Sequence, residues 1–323
     1  MTVRIRLSGA KPIKIGTRAS PLARAQASEV AARLAACHGL PSEAFIIVSL
    51  TTKGDQLREQ PLPDIGVKGL FTQELEERLL SGEIDLAVHS CKDVATVLPR
   101  GLHISACLPR EDVRDAFISR TGCRLWELPP GAVVGTSSIR RQALLALHRP
   151  DLVVVPFRGL VGTRLQKLES GVVDATLLAQ AGLNRLGLGQ VATEILNPSD
   201  FPPAPAQGAI CIESSVANSL VTELVSVLDH EATADAVRCE RSFLRSLDGS
   251  CRTPIAAHAT CHGSELVLCG MTIEPDGSHQ RTVVFRGCRS AAEEVGGSAA
   301  RLLISNEAVS LRSRTGVVGL SRS

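Results

Sequence analysis

The chain has few aromatic side chains: its 323 residues include no Tyr, one Trp and seven Phe. Proteins that hold single-stranded nucleic acids stack the bases on aromatic rings, and a net charge of +2 attracts a polyanion only weakly. We therefore expect no nucleic-acid partner. Hydrophobic residues make up 44% of the chain and charged residues 21%, as in ordinary folded proteins, so disordered and fibrous classes are excluded and the core must be aliphatic.

Long hydrophobic runs and zinc-type cysteine spacings are also absent. No stretch approaches the roughly 20 apolar residues of a membrane span, and residues 1–14 lack the apolar segment of a signal peptide. The ten Cys contain no Cys-x-x-Cys pair and no set with His at the spacing of a structural zinc site. These absences predict a cytoplasmic protein with free thiols, no membrane contact and no metal.

Lysine is scarce as well. Six of the 35 basic residues are Lys and the other 29 are Arg. Arg binds carboxylates through two parallel hydrogen bonds and keeps its charge when it is partly buried. The excess of Arg therefore fits an acidic ligand, although a GC-rich genome would produce the same bias. The positions of the arginines decide between these explanations better than their number does.

The clearest candidate site follows the apolar run at residues 84–88, which predicts a buried parallel strand. This strand ends abruptly at Ser90, Lys92 and Asp93. In open α/β sheets ligands bind beyond the carboxyl ends of the strands, so these side chains are expected to face a cleft. Asp93 is the first candidate for catalysis. An ordinary strand exit with solvated charges would explain this stretch equally well.

The stretch before it predicts a strand, a loop and a helix. A strand over residues 11–17 leads to Arg18 and Ser20, and Ser20 followed by Pro21 is typical of a helix start. Free backbone N–H groups at a helix start favour an anion, which would engage Arg18 and Ser20, although capping alone explains Ser20. The order of strands and helices up to residue 109 predicts a doubly wound lobe like those of periplasmic binding proteins.

A second lobe is predicted over residues 110–206, where arginines follow successive strands. Ser138 should cap a helix whose first turn holds Arg140 and Arg141. Because basic residues there oppose the helix dipole, we expect a bound anion to offset the repulsion. Further arginines at the next strand ends are Arg158, Arg164 and Arg185. We interpret this clustering as a site for a carboxylate or phosphate; solvated surface charge is the alternative.

The remaining sequence predicts a hinge and a third domain. Residues 197–205 hold four prolines and predict a linker, after which a strand at residues 210–213 should return to the first lobe. We assign residues 207–228 to the first lobe and residues 229–323 to a small α+β domain. Cys251 lies in a Gly-Ser turn beside Arg252, where a thiol should be more ionised than in a core, so it is a candidate for covalent attachment. An inert loop cysteine is the alternative.

Several short motifs along the chain occur together in one known family. They are residues 16–23 (Gly-Thr-Arg-Ala-Ser-Pro-Leu-Ala), 52–55 (Thr-Lys-Gly-Asp), 68–71 (Lys-Gly-Leu-Phe), 89–94 (His-Ser-Cys-Lys-Asp-Val), 110–112 (Arg-Glu-Asp), 115–117 (Asp-Ala-Phe), 134–142 (Val-Gly-Thr-Ser-Ser-Ile-Arg-Arg-Gln), 162–165 (Gly-Thr-Arg-Leu) and 248–251 (Asp-Gly-Ser-Cys). In this order they resemble the porphobilinogen deaminase family, also called hydroxymethylbilane synthases. The resemblance covers about residues 15–259.

The resemblance implies a monomeric three-domain enzyme of tetrapyrrole and haem biosynthesis. Such enzymes carry a dipyrromethane cofactor, joined by a thioether to the cysteine that matches Cys251. They deaminate four porphobilinogen molecules, join them head to tail on that cofactor, and release hydroxymethylbilane and ammonia. Each pyrrole brings an acetate and a propionate, for which a row of arginines is a fitting partner.

The resemblance also implies a role for each matching residue. Asp93 would stabilise the positive charge that develops on the pyrrole nitrogens. The implied cofactor contacts are Ser90, Lys92, Thr136, Ser138, Arg140, Arg141 and Arg158. The implied substrate or chain contacts are Arg18, Ser20, Arg185, Gln207 and Gly208, and Arg164, which is linked to chain movement and product exit.

Four positions depart from the family pattern. Val67 and Ala206 replace Gly, Ala95 replaces Pro, and Leu160 replaces Asn. If the glycines require a positive φ, Val67 is the most strained replacement because it is β-branched. These departures leave two rival interpretations open: a catalytically weakened relative that binds pyrroles, and a two-lobed anion-binding module that is not an enzyme. The second rival leaves Cys251 unexplained.

Overall fold

The computed structural model describes residues 11–52, 72–247 and 254–305. Within these ranges the strands form two five-stranded sheets and one three-stranded sheet. Helices pack against each sheet around clusters of buried hydrophobic side chains. The predicted fold class, two α/β lobes followed by a small α+β domain, is confirmed. The loop at residues 55–68 and the turn that holds Cys251 lie outside the described ranges.

The first sheet is built from β1 (Ile13–Arg18), β2 (Phe45–Leu50), β3 (Leu86–Ser90), β4 (Leu102–Cys107) and β10 (Ile210–Ser215). Their order across the sheet is β2-β1-β3-β10-β4. The first three strands are parallel, whereas β10 is antiparallel to both of its neighbours. The strand at residues 210–213 thus returns to the first lobe, as predicted.

Three helices pack on the first sheet: α1 (Pro21–His38), α2 (Gln73–Leu80) and α6 (Ser219–Ser226). The start of α1 is the predicted one, because the Ser20 hydroxyl accepts a hydrogen bond from the Ala23 N–H. The helix ends at Gly39, whose φ of 63° suits glycine. Because this cap fixes where α1 begins, Arg18 is the last residue of β1 and Ser20 lies in the short loop that follows it.

The second sheet contains β5 (Asp115–Ser119), β6 (Val133–Gly135), β7 (Val153–Val155), β8 (Ala175–Ala179) and β9 (Glu194–Ile195). Their order is β7-β6-β8-β5-β9, with β5 antiparallel to β8 and β9. The helices of this lobe are α3 (Ile139–His148), α4 (Val161–Glu169) and α5 (Gln180–Arg185). The strands β5 and β9 and the helix α6 were not predicted from the sequence.

The third sheet is an antiparallel meander of β11 (Ile255–His262), β12 (Glu265–Thr272) and β13 (Arg281–Cys288). It packs against α7 (Glu231–Ser246) and α8 (Ala292–Ile304). The two helices approach closely at Gly296, where an added Cβ would lie 2.1 Å from the Cys239 carbonyl oxygen. Glycine is therefore required at this contact between α7 and α8.

One buried carboxylate links the first lobe, the second lobe and the third domain. Glu240 on α7 accepts two hydrogen bonds from Arg110, at 2.6 and 2.9 Å, and one each from the backbone N–H groups of Ala206 and Ala259. Arg110 also donates to the Gln207 carbonyl oxygen at 2.8 Å. The two segments that connect the lobes are thus held against the third domain by one fully buried side chain.

In the described ranges, no helix is both long and apolar enough to cross a membrane. The same residues hold no group of three or more His, Cys, Asp or Glu side chains that could bind a metal ion.

Candidate active site

A cavity of about 420 Å³ lies between the two lobes, at the carboxyl ends of β1, β3, β6 and β8. The first lobe and the second lobe each contribute five of the predicted site residues to its wall. They are Arg18, Ser20, Ser90, Lys92 and Asp93, and Thr136, Ser138, Arg141, Arg158 and Arg164. The structure therefore brings together residues that lie up to 146 positions apart in the sequence.

Asp93 enters the cavity from a single helical turn, Cys91–Asp93, that directly follows β3. Its carboxylate is 40% exposed, and one oxygen lies 4.0 Å from a guanidinium nitrogen of Arg18. Arg241 fixes the position of this turn, because it donates hydrogen bonds to the carbonyl oxygens of Val94 and Ala95, which follow it. A carboxylate that is fixed in place and still open to the cavity can stabilise positive charge on a bound ligand.

Lys92 projects into the cleft next to Asp93. Its ammonium group donates a hydrogen bond to the side-chain oxygen of Gln207 at 3.3 Å. Desolvation between the two lobes lowers the pKa of Lys92 to about 8, although the neighbouring Asp93 acts in the opposite direction. Lys92 is therefore a cation near neutral pH and loses its charge in mildly basic solution.

Ser90 is positioned by a side chain that the sequence analysis did not identify. Gln26, on α1, is 2% exposed and exchanges hydrogen bonds with the Ser90 hydroxyl at 2.9 and 3.1 Å. The available signal was a polar residue on the buried face of α1, beside Ala23, Ala27 and Val30. Gln26 also lines a cavity of about 60 Å³ that shares Arg18, Ser20, Ser90 and Asp93 with the larger one.

The paired arginines of α3 share one buried carboxylate within the protein. Arg140 and Arg141 each donate a 2.7 Å hydrogen bond to a different oxygen of Asp115, which is fully buried at the start of β5. Burial alone would raise the pKa of Asp115, but the two guanidinium groups more than offset this and hold it well below its usual range. Asp115 therefore offsets part of the repulsion between these arginines and the helix dipole, and the pair keeps a net positive charge.

Of these two arginines, only Arg141 lines the large cavity. Arg140 does not line it, and its Nη1 donates a hydrogen bond to the Pro202 carbonyl oxygen at 2.7 Å. Gln207 is likewise buried and donates to Asp115 at 2.8 Å and to the Val113 carbonyl oxygen at 2.7 Å. Arg140 and Gln207 thus support the cavity wall from behind in this structure.

Arg185 and Gly208 also lie outside the cavity wall. Arg185 donates to the Gly208 carbonyl oxygen at 2.8 Å, and its Nε lies 3.9 Å from a Glu29 carboxylate oxygen. Gly208 has a φ of 88°, and a Cβ there would lie 2.4 Å from the Glu111 carbonyl oxygen. This position therefore requires glycine.

Arg164 provides the best indication of what the cavity binds. It is half-buried on α4, and its Nε has no hydrogen-bond partner among the described residues. Burial, together with the charge of Arg141, lowers the pKa of Arg164 to about 10. A guanidinium group with a buried N–H that has no partner carries a desolvation cost, which a carboxylate ligand would reduce. The cavity wall therefore fits a ligand rich in carboxylates, such as a dipyrromethane with two acetates and two propionates.

The four departures from the family pattern have different surroundings. Val67 lies outside the described residues. Ala206 has a φ of 60°, one of two positive values found among the non-glycine residues described, so glycine would be less strained there. Leu160 occupies the cap position of α4 and offers no side-chain hydrogen bond. Ala95 uses its carbonyl oxygen to accept from Arg241.

Solved structures of periplasmic binding domains align with the chain at low identity. The VFT2 domain of Bordetella pertussis BvgS is 17% identical with a TM-score of 0.38, and the alignment covers 68% of this chain and 87% of that one. A TRAP periplasmic solute binding protein from Pseudomonas putida F1 is 12% identical with the same TM-score, covering 72% of this chain and 80% of that one.

Two family models and a curated relative match most of the chain. Residues 13–223 match the porphobilinogen deaminase dipyromethane cofactor binding domain, and residues 234–305 match the porphobilinogen deaminase C-terminal domain. A porphobilinogen deaminase from Nitrobacter hamburgensis is 51% identical over 289 residues, which cover 90% of this chain and 92% of that protein. The chain therefore belongs to the porphobilinogen deaminase family, the transferases that build hydroxymethylbilane on a dipyrromethane cofactor.

Proposed function

We propose that Asp93 is the catalytic residue of this hydroxymethylbilane synthase. Loss of ammonia from the aminomethyl group of porphobilinogen leaves an electron-poor pyrrole with positive charge on its nitrogen. The Asp93 carboxylate stabilises that charge and orients the pyrrole N–H. The observation that carries this proposal is the position of Asp93, which projects into a cavity whose other charged lining residues are all cations, with Arg18 4.0 Å away.

Binding and orientation of the carboxylates fall to the cationic wall opposite Asp93. Arg141, Arg158 and Arg164 hold the acetate and propionate groups, and Thr136 and Ser138 add hydroxyl donors at the start of α3. Lys92 and Ser90 complete the wall on the first lobe. Two lobes that grip one ligand exclude water between them, which strengthens each of these ion pairs.

The remaining assignments concern the cofactor and the substrate path. Cys251 is proposed as the attachment point, and when bound the dipyrromethane supplies the free pyrrole position to which substrate is joined. Arg18 and Ser20, at the mouth of the cavity, receive the incoming porphobilinogen. Arg185, Gln207 and Gly208 contact the chain as it lengthens, and Arg140 supports the cofactor site by holding Asp115 in place.

The proposed domain boundaries follow the sheets. The first lobe comprises residues 1–109 and 207–228, the second comprises residues 110–206, and the third domain comprises residues 229–323. We also propose that the protein acts as a monomer in the cytoplasm without a nucleic-acid partner. The low net charge and the scarcity of aromatic residues support the last point.

The test of the catalytic assignment is Asp93→Asn, which preserves shape and removes charge. We expect normal loading with cofactor and a fall in turnover of about 10²–10³, as for the loss of one charge-stabilising group. Asp276→Asn, on an exposed loop of the third domain, is the matched control and should leave turnover unchanged. Near-normal turnover in Asp93→Asn would refute the assignment, whereas failure to load cofactor would show that Asp93 acts in assembly instead.

A further inference from the structure

The cavity is too small for the completed product chain. Its volume of about 420 Å³ lies near the lower end of the range for a single small-molecule ligand, which is about 300–1,000 Å³. The cofactor has two pyrrole rings, and four substrate units bring the bound chain to six. Growth of the chain therefore requires space beyond this cavity, which a change in the contacts between the lobes would supply.

One such contact joins α1 of the first lobe to α5 of the second. Gly182 lies beside Leu22, where an added Cβ would be 3.4 Å from the Leu22 side chain, an ordinary van der Waals contact, and both residues line the cavity. One turn further along α5, Arg185 Nε lies 3.9 Å from a carboxylate oxygen of Glu29. Separation of the lobes on this side would break the Glu29–Arg185 contact.

The surroundings of Arg185 make Glu29 its main side-chain partner. The Arg185 side chain is 11% exposed, and burial lowers its pKa; Glu29 opposes this effect most strongly, followed by Glu111. Arg33 competes with Arg185 for Glu29, because it also binds the Glu29 carboxylate, with nitrogen-to-oxygen distances of 2.9 and 3.0 Å. Glu29 is thus shared between a cation of its own helix and a cation of the other lobe.

We propose that Glu29 is a specificity-determining residue for chain length, because it occupies Arg185 until carboxylates of the lengthening chain replace it. The inference rests on the proposed function, in which Arg185 contacts that chain. Each added pyrrole supplies two carboxylates, so a longer chain competes better for the guanidinium group. The exchange replaces one ion pair by another, and it leaves Arg185 with a counter-charge in both the compact and the separated arrangement.

The proposal predicts opposite effects for two neighbouring substitutions. Glu29→Gln leaves the Gly208 carbonyl oxygen as the remaining partner of Arg185 in the first lobe and so favours separated lobes, whereas Arg33→Gln leaves Glu29 to Arg185 alone and favours joined lobes. Glu43→Gln removes an equal charge from an exposed position at the far end of the first sheet, where Phe45 pairs with Ile13, and serves as the control. All three positions are on the surface of the first lobe, so folding should be preserved.

The first readout is the intact mass of cofactor-loaded protein after limiting porphobilinogen. We expect the ratio of protein with three or four added units to protein with one or two to rise about two- to fivefold in Glu29→Gln, the factor that a partly exposed ion pair contributes. The ratio should fall in Arg33→Gln and stay constant in Glu43→Gln. The second readout is the radius of gyration of the loaded protein without substrate, which should increase in Glu29→Gln only.

Two outcomes would overturn the inference. Unchanged mass distributions and radii in both Glu29→Gln and Arg33→Gln would show that the contact does not govern opening, and so would equal shifts in the Glu43→Gln control. Arg185→Gln separates this failure from a failure of the proposed function. If Arg185→Gln changes the distribution while Glu29→Gln does not, only the role of Glu29 is wrong; if Arg185→Gln changes nothing, the contact between Arg185 and the chain is wrong as well.

Discussion

The substitution Asp115→Asn tests the ion-pair cluster that fixes the second lobe. Asp115 is fully buried and accepts hydrogen bonds from Arg140, Arg141 and Gln207 at 2.7–2.8 Å. Asparagine keeps the volume but leaves two buried guanidinium groups without a counter-charge. Removing one partner of a buried ion pair costs about 3–5 kcal/mol. We expect this loss in the free energy of unfolding of the second lobe.

The pH dependence of the stability provides a second test of the role of Asp115. Its pKa is lowered in the folded protein, so its contribution to stability is present above the unfolded pKa of about 3.9. That contribution is lost as the pH falls below this value. The Asp115→Asn variant has no carboxylate at this position, so its stability does not include this contribution at any pH. The difference in stability between the wild type and Asp115→Asn should therefore be constant near neutral pH and narrow in acid.

The assay must report on the second lobe alone, because a three-domain chain need not unfold in one step. Hydrogen exchange of the amides in β5 and α3 meets this need. Asp151→Asn is the matched control, since Asp151 forms an ion pair with Arg149 but is 35% exposed, and an exposed pair is worth about 0–1 kcal/mol. Equal protection losses in Asp115→Asn and Asp151→Asn would refute the argument that burial makes the cluster costly to break.

Two further predictions concern Lys92 and Ala206. Because the pKa of Lys92 is about 8, the affinity for a carboxylate ligand should fall as the pH rises through 8 in a titration followed by calorimetry; Lys92→Arg should remove that step, and a step that persists would assign it to another group. Ala206→Gly relieves about 1 kcal/mol of strain at a φ of 60° but gives up a buried methyl group worth about 0.8 kcal/mol. Its chemical denaturation midpoint should therefore match the wild type, and a large shift in either direction would contradict this balance.

Much of the fold followed from local signals. Ser20 and Ser138 mark helix starts because a hydroxyl can cap free N–H groups, and both helices begin at these residues. The apolar run at residues 84–88 likewise predicted the central strand β3. The strands β5 and β9 were missed because the pairing of β5 with β8 and of β9 with β5 gives no local pattern, and β9 has only two residues.

The site was predicted less completely than the fold. Asp93 and the arginines could be placed near one another because strand ends share one edge of a sheet. Asp115 and Glu240 could not, since their partners lie 19 to 130 residues away and only the tertiary structure brings them together. The sequence also could not show that Arg185 faces Glu29, because that contact depends on how closely the two lobes approach.

The most direct test of the account is the denatured intact mass of the purified protein. We predict an excess over the sequence mass equal to two porphobilinogen units less two ammonia molecules, mapped by digestion to the peptide that carries Cys251. Cys251→Ala should lack this excess, while Cys91→Ala, which changes a buried thiol, should retain it. An unmodified wild-type mass that stays unchanged after incubation with porphobilinogen would contradict both the cofactor assignment and the activity.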